Sequence, residues 1–247
     1  MRILVIGAGV IGSVYAARLA SSGNDVTVLA RGSRLHALQK HGIELDDGAW
    51  ETATPVHAVP VIAPEESFDL VLVAVRADQL SAIIPVLRSL RDQPDVLFFG
   101  NLGAHRPAIS TALPTQSFFG FPGVGGAHVA DVVRYVLIRQ QPTTLGEASG
   151  KVSERVLRLS ECLRAAGLPT RVSRNIDGWL MAHAAFIVPL TLALEASDGD
   201  PIVLAGDRGT LALLVDTTRE IFGSLRMDGN AEIPRNLSTL YSRILRP

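Results

Sequence analysis

The stretch Ile3-Leu4-Val5-Ile6-Gly7-Ala8-Gly9-Val10-Ile11-Gly12 constrains the fold more than any other part of the chain. An apolar run that stops in glycines at positions 7, 9 and 12 and resumes with helical periodicity describes one local geometry: a strand, a tight turn and a helix that starts over the strand's end. The first glycine allows the turn. The second lets backbone come close to a pyrophosphate, and the third lets the helix pack against the strand. A glycine triplet alone is common, but one that follows a strand and opens a helix is the context of a dinucleotide loop. The residues assigned to the cofactor here are Gly7, Ala8, Gly9, Val10, Ile11 and Gly12. The helix reads from about Val10 to Ser22, with Val10, Val14 and Ala17 inward and Gly23 ending it in the left-handed conformation.

Further apolar runs at Val26 to Ala30, Asp69 to Val75 and Asp95 to Phe99 alternate with helical stretches. That alternation predicts an α/β fold of Rossmann type, a doubly wound parallel sheet covered on both faces. Between Gln79 and Leu90 the helical pattern contains Pro85, which predicts a kink or two short helices. Strands follow at Gln116 to Phe121, Val132 to Ile138 and Thr143 to Leu145, around a loop Pro122-Gly123-Val124-Gly125-Gly126. An amphipathic helix then presents Val152, Val156, Leu159 and Leu163 on one face, and a short strand runs through Val172. Caps cluster over Ser173 to Asp177, and the composition turns helical. The boundary expected there divides residues 1–172, a dinucleotide-binding domain, from residues 173–247, a smaller all-helical domain.

Composition excludes several classes of function. Residues 178–194 carry His183 as their only readily ionisable side chain and reach the lower length for crossing a bilayer, but Pro189 and the lack of basic flanks favour a helix buried in a soluble core. Net charge is −1 and no segment gathers Lys and Arg into a stripe, so neither nucleic acid nor a membrane is an expected partner. The single cysteine, Cys162, allows no intrachain disulfide and fits a cytoplasmic, reducing compartment. The histidines show no metal-ligand spacing, and no Gly-x-Ser-x-Gly elbow points to acyl transfer.

Sites for NAD place a carboxylate about 20 residues past the loop, at the end of the second strand. This chain has Ala30-Arg31-Gly32-Ser33-Arg34 there. Arg31 and Arg34 suit a 2′-phosphate, which favours NADP(H), although arginines opening a solvated helix would look the same. Arg76 and Asn101 also follow strand ends, the edge of an α/β sheet where ligands bind, although a surface cation and a turn residue before Gly103 would look the same.

Taken together these residues resemble the ketopantoate reductase (2-dehydropantoate 2-reductase) family. The likeness runs through the Gly7 to Gly12 loop, Arg31, Arg76, Asn101, the Thr144-Leu145-Gly146-Glu147 strand end, and Trp179 to Thr191. It implies a helical second domain in which a lysine two residues past the tryptophan protonates the substrate oxygen while the nicotinamide delivers hydride to the carbonyl carbon. Leu180 and Met181 stand where that lysine should be. Two family asparagines fall at about Ala184 and Val188, and a third corresponds to Asp198. A glutamate and a serine of the family's later helices are not reached by a sequence that ends at Pro247. His183, one helical turn past Leu180, is then either a replacement acid or an ordinary core histidine, and Glu195 and Asp198 either anchor substrate or mark a solvated helix end.

Two functions follow as expectations. One is an NADPH-dependent oxidoreductase acting on a small 2-oxo acid or related carbonyl, with Asn101 and Asp198 toward substrate and Arg76 and Asn101 bordering the nicotinamide. The other is a catalytically degenerate NADP-binding or scaffold protein of the same fold. A chain that exposes apolar helix faces is expected to bury them in a homodimer.

Overall fold

The structure is a computed structural model and describes residues 1–63, 65–114, 116–227, 229, 232–234 and 237–238. It divides into two compact units, Met1–Arg174 and Asn175–Pro247. In the first, β1 (Arg2–Ile6), α1 (Val10–Ser21), β2 (Asp25–Leu29) and α2 (Gly32–His41) come in succession. Then follow β3 (Ile43–Asp46), β4 (Glu51–Thr54), β5 (His57–Val59), β6 (Leu70–Val73), α3 (Leu80–Ser89), β7 (Asp95–Phe99) and α4 (Arg106–Ala112). The unit closes with β8 (Ser117–Phe121), β9 (Val124–Val129), β10 (Val132–Leu137), β11 (Thr143–Glu147), α5 (Glu154–Ala165) and β12 (Thr170–Val172).

Among the described residues, eight strands form one sheet in the order β12-β11-β8-β7-β6-β1-β2-β5. Every neighbouring pair is parallel except β8 and β11. Ile3, Leu4 and Val5 of β1 and Val71 and Leu72 of β6 are fully buried, which is why these strands read as unbroken apolar runs instead of alternating ones. Each such side chain removed from water contributes roughly 2 kcal/mol. The chain leaves β1 toward β2 on one side and returns to β6 on the other, so strand order reverses beside β1. A crevice opens at such a reversal.

The fold is of the Rossmann type that the sequence predicts, with two corrections in detail. Pro85 lies inside α3, so the stretch is one helix and not two, preceded by a short 3₁₀ turn over Ala77–Gln79. Pro85 and Ser81, the residue whose carbonyl it leaves without an intrahelical donor, are both exposed, so water takes the missing partner's place. The supposed loop through Gly126 is in part a strand, since β9 begins at Val124 and pairs with β10 from Val124↔Leu137 to Val129↔Val132. With β3 and β4 these strands make a second sheet, β4-β3-β10-β9, which sequence reading did not foresee.

The second unit is helical: α6 (Ile176–Glu195), α7 (Pro201–Gly206) and α8 (Arg208–Met227). Asn175 caps α6 by accepting from the Gly178 N–H at 2.9 Å, and Asp200 caps α7 by accepting from the Ile202 N–H at 2.7 Å. Ala185 of α6 packs with Val215, Phe222 and Leu225 of α8, and Ala193 with Leu204 and Leu214. Among the described residues α6 is the one helix long and apolar enough to cross a membrane; half of that stretch is buried in the protein.

Candidate functional site

Where β1, β2 and β6 end, a cleft of about 500 Å³ opens beside the strand-order reversal. Gly7, Ala8, Gly9, Arg31, Arg34 and Arg76 all line it. Arg34 and Arg76 are engaged by the protein itself, so Arg31 is the cation by which this space favours an anion.

The three glycines do three different things here. Gly7 turns the chain with φ +106°, and a Cβ there would lie 2.5 Å from the Ala74 carbonyl oxygen. A Cβ at Gly12 would fall 1.8 Å from the Gly7 carbonyl oxygen, so only glycine lets α1 sit this close to its own loop. A Cβ at Gly9 would meet no atom within 4 Å. The middle position thus looks onto open space at the cleft, where a ligand's oxygens can approach backbone.

Val10, Ile11 and Gly12 open α1, and their N–H groups have no intrahelical acceptors. Neither α1 nor α2 has an acidic residue in its first turn, which leaves the positive end of each helix dipole uncompensated. Arg31 precedes α2 in extended backbone, is exposed, and stands at the junction of the cleft with a hollow of about 310 Å³. That hollow is walled by Leu29, Val61, Ile62, Val86 and Leu90, apolar surface on the scale of a base ring.

The other predicted residues fare differently. Arg34 is partly buried, and burial pulls its guanidinium pKa down. It donates to three acceptors of the protein itself: the Ala8 carbonyl at 3.3 Å, Ser13 Oγ at 3.0 Å and the Asp131 carbonyl at 2.9 Å. Arg76 forms a two-pronged ion pair with Asp78, at 2.5 and 3.0 Å, on an exposed 3₁₀ turn. Asn101 follows β7 and is exposed, outside the cleft-lining set.

In the helical unit, His183 is 1% exposed and stacks on Trp179, ring centroids 5.2 Å apart and planes 14° from parallel. Burial pushes its imidazole down to about 4, so the ring is neutral at pH 7. Met181 and Val188 are exposed and apolar. Glu195 and Asp198 are exposed, and Asp198 holds a positive φ of 55° just past α6.

Ser13 and the Asp131 carbonyl were not foreseen as parts of this site. A serine one residue past the last glycine is a weak signal. No local pattern announces a carbonyl that joins from 97 positions away.

Comparison with known proteins agrees with this geometry. The model of the family described as "Ketopantoate reductase PanE/ApbA" matches residues 3–150. The 2-dehydropantoate 2-reductase of Mesorhizobium japonicum is 31% identical over 237 residues, spanning 86% of this chain and 72% of that protein. The crystal structure of 2-dehydropantoate 2-reductase from Geobacter metallireducens superposes with a TM-score of 0.84 at 21% identity, over 100% of this chain and 85% of that one. D-mandelate dehydrogenase, solved with NADH and anilino(oxo)acetate, superposes with a TM-score of 0.78 at 19% identity, over 94% and 76%. The glycine loop, the anion-favouring cleft and these likenesses converge: the chain belongs to the ketopantoate reductase family and is an oxidoreductase of that family.

Proposed function

We propose that the protein is an NADPH-dependent reductase of 2-oxo acids. The observation that carries this reading is the cleft itself, where a glycine open to ligand and an unshielded helix N-terminus share a wall with Arg31, in the place where an NAD site would hold a carboxylate. A nicotinamide dinucleotide, when bound, supplies the hydride. The chain's part is to hold the pyrophosphate on the N–H groups of Gly9 to Gly12, to pair the 2′-phosphate with Arg31, and to take the adenine into the apolar hollow beside it. Arg76 and Asn101 border the nicotinamide.

With its pKa held near 4, His183 has no acidic proton to give at pH 7, so water protonates the product oxygen. Turnover is then slower than in lysine-bearing relatives by roughly 10²-fold to 10⁴-fold, the contribution of a placed general acid. Met181, Ala184 and Val188 replace the family's polar side chains, which favours 2-oxo acids with an aryl or branched alkyl group. Asp198, exposed just past α6, would accept from a hydroxyl of the substrate and not meet its carboxylate. The enzyme works as a homodimer in the cytoplasm.

The test is titration of the wild type and Arg31→Ala with NADPH and NADH. Arg31→Ala should weaken NADPH by about 10-fold to 100-fold, the loss of one or two charge-assisted hydrogen bonds, and leave NADH within about twofold. Wild type that prefers NADH, or a variant that loses both cofactors equally, would overturn the assignment. NADPH consumption is then followed with ketopantoate, phenylglyoxylate and branched 2-oxo acids. The absence of the lysine favours a second reading, a degenerate NADP-binding protein. Its signature is tight NADPH binding with no oxidation on any of these substrates.

A further inference from the structure

Arg34 is built into the fold at the point where the glycine loop needs support. Its three acceptors belong to three separate segments: the loop (Ala8), the first turn of α1 (Ser13) and the turn between β9 and β10 (Asp131). Ser13 Oγ also donates to the Ala8 carbonyl at 3.2 Å, so that one oxygen receives two hydrogen bonds. The turn that presents the Asp131 carbonyl has Ala130 at φ 52°, a left-handed conformation that costs a residue with a side chain about 1 kcal/mol. Strain of that kind persists only where surrounding contacts over-determine it.

We infer that Arg34 is a positioning residue that fixes the Gly7 to Gly12 loop in its ligand-ready shape and takes no part in choosing between NADPH and NADH. The inference rests on the dinucleotide reading above. In a planar trans peptide, C=O and N–H point in opposite directions. Fixing the Ala8 carbonyl therefore fixes the direction of the Gly9 N–H, at the residue where the cleft is open to ligand. A loop with three glycines has more conformations to lose on binding than one of the same length without them. A planar guanidinium with donors in a rigid fork can hold carbonyl, hydroxyl and carbonyl together, and a single ammonium cannot. The clamp thus meets the ordering cost during folding, before ligand arrives.

The experiment compares wild type, Arg34→Ala, Arg34→Lys and Ser13→Ala in two measurements: titration with NADPH and with NADH, and amide hydrogen exchange of the ligand-free protein. Arg34→Ala should weaken both dinucleotides by the same factor, about 10-fold for an unclamped loop, and keep their ratio at the wild-type value. Exchange should accelerate across residues 8–13 while β6 and β7 keep wild-type rates. Arg34→Lys should recover only part of the affinity, and Ser13→Ala should show a smaller loss in the same direction. A loss confined to NADPH would make Arg34 a phosphate ligand instead, and unchanged affinity with unchanged exchange would remove it from the site; either overturns the inference. If Arg34→Ala does not fold, Ser13→Ala decides, equal weakening supporting the clamp and unchanged binding refuting it. Wild type that binds neither dinucleotide would sink the functional reading, and the exchange rates over residues 8–13 would still decide the clamp.

Discussion

Replacing Gly12 by alanine is expected to lower stability by roughly 3 kcal/mol and to abolish dinucleotide binding. The added methyl would lie 1.8 Å from the Gly7 carbonyl oxygen, a backbone atom that cannot rotate away. Relief requires α1 to lift off its loop, and α1 buries Val14, Tyr15, Ala16, Ala17 and Leu19. Gly9→Ala is the matched control, because its methyl meets no protein atom within 4 Å. It should unfold within about 1 kcal/mol of wild type, as small changes at non-packed positions do. Its affinity for dinucleotide should nonetheless fall by about 10-fold or more, since the methyl occupies the ligand's approach. Urea unfolding followed by far-UV circular dichroism, paired with NADPH titration, separates the two. Gly12→Ala with wild-type stability would mean that the loop has another conformation.

Acid is expected to destabilise the protein through His183. Its folded pKa of about 4 lies below the ordinary 6.5, so the unfolded chain takes up a proton that the folded chain refuses. The stability due to the neutral, buried ring is complete above 6.5 and is lost progressively as pH falls toward 4, in total about 3 kcal/mol. His183→Gln removes the titration and keeps a polar side chain in place. Urea midpoints between pH 7 and 4 should fall more steeply in wild type than in this variant. Trp179 fluorescence is the local reporter, because its ring stacks on His183, whereas Trp50, the other tryptophan, is 76% exposed. Equal slopes would show that other groups carry the acid sensitivity.

The parts of the fold that were legible are those whose cause is local. β1, the glycine loop and α1 follow one another within the first 21 residues, and each is dictated by its own apolar pattern and turn chemistry. β4, by contrast, reads Glu51-Thr52-Ala53-Thr54, a polar exposed run that is a strand because it pairs with β3 from Ile43↔Thr54 to Asp46↔Glu51. β5 is three residues long and owes its existence to the open edge of β2. The same distinction governs the site. The glycine spacing is a property of six consecutive residues and was readable. The engagement of Arg34 depends on a carbonyl from a distant turn, and an arginine held by backbone has the same letter as one that holds a phosphate.

The second sheet also sets an order of events for a chain that emerges from the ribosome one residue at a time. β3 pairs in parallel with β10, Leu45↔Val133 and Asp46↔Arg134, across nearly ninety positions of intervening sequence. Until residue 137 has been made, the β3–β4 hairpin has an unpaired edge and no other strand of its sheet to join. Contacts of such long sequence separation form late, because loop closure comes before any gain from pairing. Nascent chains stalled between residues 54 and 137 should therefore be the ones that self-associate through an open strand edge.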